Sequence, residues 1–161
     1  MTHYHEIPDY PDEMSAKGII MRLLDGLGFR FYWSTEGLRE SDYSYTPGEG
    51  CKSIMELMGH IYGLINWVNK AVTGEGYKEP ETPFEGRALI VEMIYNLRNT
   101  LGNMSDEELS KIKIRDKPFW NIINGPISDA LTHVGQINSF RRLAGNCVPK
   151  ANVFTGKPPS G

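Results

Sequence analysis

The feature that most constrains this chain is the return of apolar residues at three- and four-residue steps in four separate segments, a spacing that lines one face of a helix. The first stripe, Ile19, Ile20, Leu23, Leu24, Leu27 and Phe31, follows Ser15 as N-cap and is expected to run to about Gly37 or Leu38. The second holds Ile54, Leu57, Met58, Ile61, Leu64, Ile65 and Val68 and ends near Val72, before Gly74 and Gly76. Its start is marked by Ser53 with Glu56 three residues on, a capping box. The third, about Phe84 to Leu101, uses Leu89, Ile90, Met93, Ile94 and Leu97. The fourth begins near Phe119 or Trp120 and carries Ile127, Ala130, Leu131, Val134, Ile137 and Leu143 until Gly145 stops it.

Ser105 and Glu108 form another capping box over a short helix, followed by a charged turn around Arg115 to Lys117. With no convincing alternating strand and no internal repeat, the expected fold class is all-α, a four-helix bundle occupying residues 1–161 as a single domain. Residues 1–14, with Pro8 and Pro11, read as an extended arm or mobile tail, residues 41–50 as a loop, and residues 149–161 as an irregular tail. The linker from Gly74 to Pro83 can span roughly 30 Å, so the third helix need not run antiparallel to the second. Two local questions stay open. Gly26 and Gly28 either admit close packing or bend the first helix, and Pro126 either kinks the fourth or sits near the first turn of its core-facing part.

Charge excludes some functions. The 17 Lys and Arg against 20 Asp and Glu give a net charge of −3, with no basic stripe for nucleic acid or an anionic membrane. The most apolar stretch, Ile54 to Val72, contains Glu56, His60, Asn66, Asn69 and Lys70, so no membrane span is expected. The N-terminus lacks a secretory signal pattern, which makes the cytoplasm the expected location. Cys51 and Cys147 form neither a disulfide framework nor a zinc motif and read as free thiols. The first and third helices carry enough apolar surface for a symmetric homodimer.

Only two His fall on the long helices. His60 lies about 100° to one side of the second helix's stripe, and His133 is off centre on the fourth by a similar angle. Asp129 stands four residues before His133, so both project from one face and can share an ion, with His60 supplied by another helix. Two imidazoles and a carboxylate leave coordination positions for water or substrate. The same spacing is also compatible with a hydrogen-bonded Asp–His pair and an unrelated half-buried His60.

The run PGEGCKSIMELMGHI, residues 47–61, and the run ISDALTHVGQINSFRRLAG, residues 127–145, resemble the two signature regions of the DinB/YfiT-like metalloenzymes. The likeness extends from the first helix to the fourth. It implies one divalent ion inside a four-helix bundle, held by one His of the second helix and a His-x-x-x-His pair of the fourth. Those positions fall on His60, Asp129 and His133, with Asp where the pattern has its first paired His. The carboxylate lowers the net charge of a divalent site from about +2 to about +1, which weakens the pull on a bound water and leaves Zn, Ni, Fe or Mn as candidates. The resemblance further implies a metal-dependent transferase or isomerase, or a hydrolase-like enzyme, acting on a small-molecule thiol and an electrophilic substrate. The alternative is a non-catalytic, metal-stabilised or metal-free bundle that binds a ligand or partner.

Neighbouring residues have competing roles. Glu56 could serve as a fourth ligand or base, although its capping role is favoured. Gln136 could orient a ligand or make an interhelical hydrogen bond. Trp33, Trp67 and Trp120 with Phe119 could wall a pocket, or belong to the core. His3 and His5, in the arm, are weak ligand candidates.

Overall fold

Helix starts form where the caps lie. The structure, a computed structural model, describes residues 3–160; the first two residues of the expected arm and the last of the tail lie outside them. Ser15 Oγ accepts from the Gly18 N–H and opens α1, Ala16–Thr35. Ser53 and Glu56 cap each other at the start of α3, Ile54–Thr73. Thr82 caps α4, Pro83–Gly102, whose Pro occupies a first-turn position that needs no amide donor. Ser105 and Glu108 build the same reciprocal box on α5, Asp106–Lys111. The last long helix, α7, spans Ser128–Leu143.

Three elements depart from expectation. Within the loop around residues 41–50, Glu40–Tyr43 form a one-turn helix, α2, fixed by Arg39 and Asp42. The charged turn closes a small antiparallel hairpin, β1 (Lys113–Ile114) and β2 (Lys117–Pro118), paired Lys113 with Pro118 and Ile114 with Lys117. The fourth helix is broken. α6, Trp120–Ile122, runs into a π-helical turn, Ile123–Ile127, where Gly125 leaves helical geometry (φ −92°, ψ −108°) ahead of Pro126. Proline there lacks an amide donor and crowds the preceding turn, and Ser128 Oγ–H donates to the Ile123 carbonyl at 2.7 Å within the break.

Each long helix packs on two others: α1 on α4 and α7, and α3 on α4 and α7. Directions follow from named contacts. Arg87 near the start of α4 reaches Thr35 at the end of α1, while Arg98 farther along reaches Asp25, so α1 and α4 are antiparallel. Met55 and Met58 of α3 face Gly86 and Ile90 of α4 across one pocket, so these two run parallel, as the linker length permits. His60 meets Asp129 while Leu64 lies by Pro126, so α3 and α7 are antiparallel. Leu24, Leu27, Ile61, Ile65, Met93, Ile94, Val134 and Ile137 fill the core, each at most 1% exposed. α1 and α4 pack on each other, while Ile19 of the first stripe and Leu143 of the fourth are exposed.

The arm is anchored. Tyr4 is buried over Gly28, where an added Cβ would stand 2.3 Å from the ring, so that glycine serves arm docking and not a bend. The Tyr4 hydroxyl donates to Asp25 at 3.4 Å, and burial, ahead of the attraction of Arg98, raises the Asp25 carboxyl above its ordinary range. His3 stacks on Tyr95, and the His5 carbonyl accepts from Trp33, which places neither His near the proposed ligands. Ile7 N–H donates to the Gly156 carbonyl, joining arm to tail, and an Asn152–Lys157 bridge with a turn around Asn152 orders the tail. Buried Arg141 of α7 donates to the Ser34 and Glu36 carbonyls at 2.9 and 2.8 Å, satisfying orphan groups at the end of α1. Among the described residues, no helix is long and apolar enough to cross a membrane. Cys51 and Cys147 are both free and exposed.

Candidate metal centre

The long helices α3 and α7 bring the three named residues together. His60, Asp129 and His133 each offer a ligand atom, and these atoms lie within 4.8 Å of one another. Asp129 straddles the two rings: Oδ2 stands 3.4 Å from His60 Nε2, and Oδ1 stands 3.4 Å from His133 Nε2. The rings meet edge to face, their centroids 4.7 Å apart. The His133 side chain is 14% exposed, those of His60 and Asp129 41% and 47%, so the group opens to solvent from one side.

Gln136, one turn beyond His133, resolves its role locally. Its Oε1 accepts from His133 Nδ1–H at 2.7 Å, an intrahelical contact and not the interhelical bond the sequence allowed. A proton held at Nδ1 leaves the Nε2 lone pair facing the carboxylate of Asp129. Two acceptors facing each other require a proton or a cation between them. Asp129 also stands in the first turn of α7, where a negative charge suits the helix dipole with or without an ion.

Glu56 is taken up elsewhere. Its Oε2 accepts from the Ser53 N–H at 2.7 Å and from the Ser53 hydroxyl at 2.9 Å, and these bonds, the backbone one first, hold its carboxyl below the usual range. It acts as the cap and is not directed at the His–Asp group. The tryptophans separate. Trp67 shares an open cleft of about 440 Å³ with Asp129. Trp120, 74% exposed, lines a different cavity with Phe119, Ile19 and Leu23. Trp33 packs in the core against Phe29 and Tyr32.

No protein-family model and no curated protein matches this chain.

Sequence reasoning passed over the donors of the cleft. Arg115, Lys117, Asn121 and Asn124 line it together with Trp67 and Asp129. The Arg115 guanidinium lies 4.8 Å from the centre of the Trp67 ring, a cation–π contact. The only sequence signal for this cluster was the concentration of charge around the turn, which by itself describes any solvated surface loop.

Proposed function

We propose that this chain is a four-helix bundle of the DinB/YfiT-like kind that holds one divalent ion between His60, Asp129 and His133, and that the ion serves a thiol-dependent transferase or isomerase reaction. The observation that carries the reading is the convergence of acceptor atoms, with His133 Nδ1 committed to Gln136 and its Nε2 facing Asp129. Geometry supports it: the carboxylate lies between the two rings, each of its oxygens 3.4 Å from a different imidazole nitrogen, longer by about half an ångström than a charge-assisted hydrogen bond between such atoms. The donor set suits Zn, Ni, Fe or Mn.

Bound there, a divalent ion would supply Lewis acidity, holding a small thiol as its thiolate at neutral pH. The chain's own residues set the conditions. Gln136 fixes which nitrogen of His133 points inward, Asp129 reduces the charge of the centre, and the exposed side leaves room for the thiol and an electrophile. The competing reading, a non-catalytic metal-stabilised bundle, shares the same three residues and differs in having no turnover.

Elemental analysis of untagged protein, wild type beside His60→Ala and His133→Ala, tests the centre. One equivalent of metal in the wild type and its loss in both variants is the expected pattern; metal content unaltered by either change overturns the assignment. Metal-dependent consumption of a chloronitrobenzene by a small thiol, abolished in His60→Ala, then separates an enzyme from a binding module.

A further inference from the structure

We infer that the cleft between the β1–β2 turn and the start of α7 is the anion-recognition half of this site, taking the carboxylate of a small molecule whose other end reaches the ion. The inference rests on the metal reading above and adds a substrate class to it.

The cleft joins Asp129 to a set of unused donors. Among the described residues, the side chains of Arg115, Lys117, Asn121 and Asn124 make no hydrogen bond or ion pair within the chain, yet all four line one cavity. Asp116, between the two cations, pairs with neither at salt-bridge distance. At about 440 Å³ the cleft falls in the range of small-molecule sites. The planar guanidinium of Arg115 matches a carboxylate through two parallel hydrogen bonds, and its position over Trp67 holds it ready for them.

The backbone gives an independent indication. Arg115 and Asp116 form the two-residue turn of the hairpin with φ of 48° and 62°, both in the left-handed region. Such turns ordinarily use Asn-Gly or Asp-Gly, because left-handed geometry costs other residues about 1–2 kcal/mol each. Arg115 therefore occupies a position that folding alone disfavours, on a short hairpin that presents it to Trp67. Asp129, the shared residue, sets the distance relation: a ligand bound by Arg115 and Lys117 lies in the same cavity as one edge of the metal centre.

The test uses full-length cobalt-loaded protein, whose thiolate-to-cobalt absorption reports thiol binding, with mercaptopropionate and its neutral analogue mercaptopropanol as probes. Wild type should bind the carboxylated thiol about tenfold more tightly. Arg115→Gln and Lys117→Gln, separately and together, should remove that preference while leaving the cobalt stoichiometry and mercaptopropanol affinity unchanged; Arg115→Lys should retain part of it. Equal affinity of the two probes in the wild type overturns the inference and leaves the metal reading intact. So does a preference that survives the double variant, because chelation by the probe's own carboxylate then accounts for it. Failure of the wild type to bind cobalt overturns the metal reading, and this inference falls with it.

Discussion

Replacing Gln136 by Ala tests the proposed metal centre without touching any of the three residues proposed as its ligands. The substitution removes the acceptor 2.7 Å from His133 Nδ1, so the ring loses the bond that fixes both its orientation and its tautomer. Outer partners of this kind are worth about 10–100-fold in metal affinity, or about 1.4–2.7 kcal/mol. The fold should hardly notice, since Gln136 is exposed and changes at such positions usually stay within about 0.5 kcal/mol. Competition for zinc against a chromogenic chelator measures the affinity, and melting of the metal-free protein measures the fold. Gln136→Glu sharpens the assay, because a carboxylate accepts the same Nδ1–H more strongly and should hold zinc at least as tightly as the wild type. Unchanged zinc affinity in Gln136→Ala would refute the reasoning, as would an equal loss in both variants.

Asp129→His should keep one equivalent of metal by elemental analysis, and exhaustive chelation should lower the wild-type melting temperature, by an amount equivalent to about 2.7 kcal/mol where free ion had stood at about one hundred times Kd. Asp42, held below the usual carboxylate range chiefly by the Arg39 side chain, contributes stability that is full above its unfolded pKa of about 3.9 and lost as pH falls through the lower folded value. Asp42→Asn should therefore flatten the acid limb of a melting-temperature profile, and an unchanged slope would count against the pairing; Asp25, raised by burial, acts in the opposite sense in both proteins. Gly28→Ala should release Tyr4 from α1 and cost about 1–3 kcal/mol in chemical denaturation, with faster proteolysis of the arm, whereas a stabilised variant would show that the ring does not sit there.

The helices were legible because each begins on a side chain that caps it and carries a stripe of suitable period, and both signals are local. Ser53 with Glu56 and Ser105 with Glu108 needed no knowledge of the rest of the chain. What escaped the sequence depends on contacts between distant segments. Tyr4 looks like one more aromatic in a proline-bearing arm until Gly28 opens a seat for it, and Arg141 looks like a solvated helix residue until it meets the carbonyls of Ser34 and Glu36. Pro126 left two outcomes open, and the structure combines them, with a π turn through residue 127 and the core-facing helix beginning at Ser128. For the site, the three candidate ligands could be named from spacing and resemblance, but Trp67 and Trp120 could not be told apart. Trp67 lies on α3 beside the cleft, whereas Trp120 lies before the break at residues 123–127 and lines a different cavity, a separation that depends on how the segments pack.

The meeting of His60 with Asp129 and His133 follows from helix direction. Each of the three immediately precedes a buried core residue, Ile61, Ala130 and Val134 respectively, so each lies about 100° to the same rotational side of its own stripe. Viewed from one end, a helix pointing toward the observer and one pointing away wind in opposite senses. Equal offsets therefore put residues on the same side of an antiparallel pair and on opposite sides of a parallel pair. α3 and α7 are antiparallel, and the residues meet. The other flank of α3 behaves accordingly: Tyr62, immediately after Ile61, lines the pocket shared with α4. The linker from Gly74 to Thr82 brings the chain back to the end where α3 began, so that α4 descends beside α3 and α7 must ascend. A short reversal after α3 would have sent α4 the other way and removed this requirement. The chemistry proposed for the site thus depends on a connection that contributes no ligand.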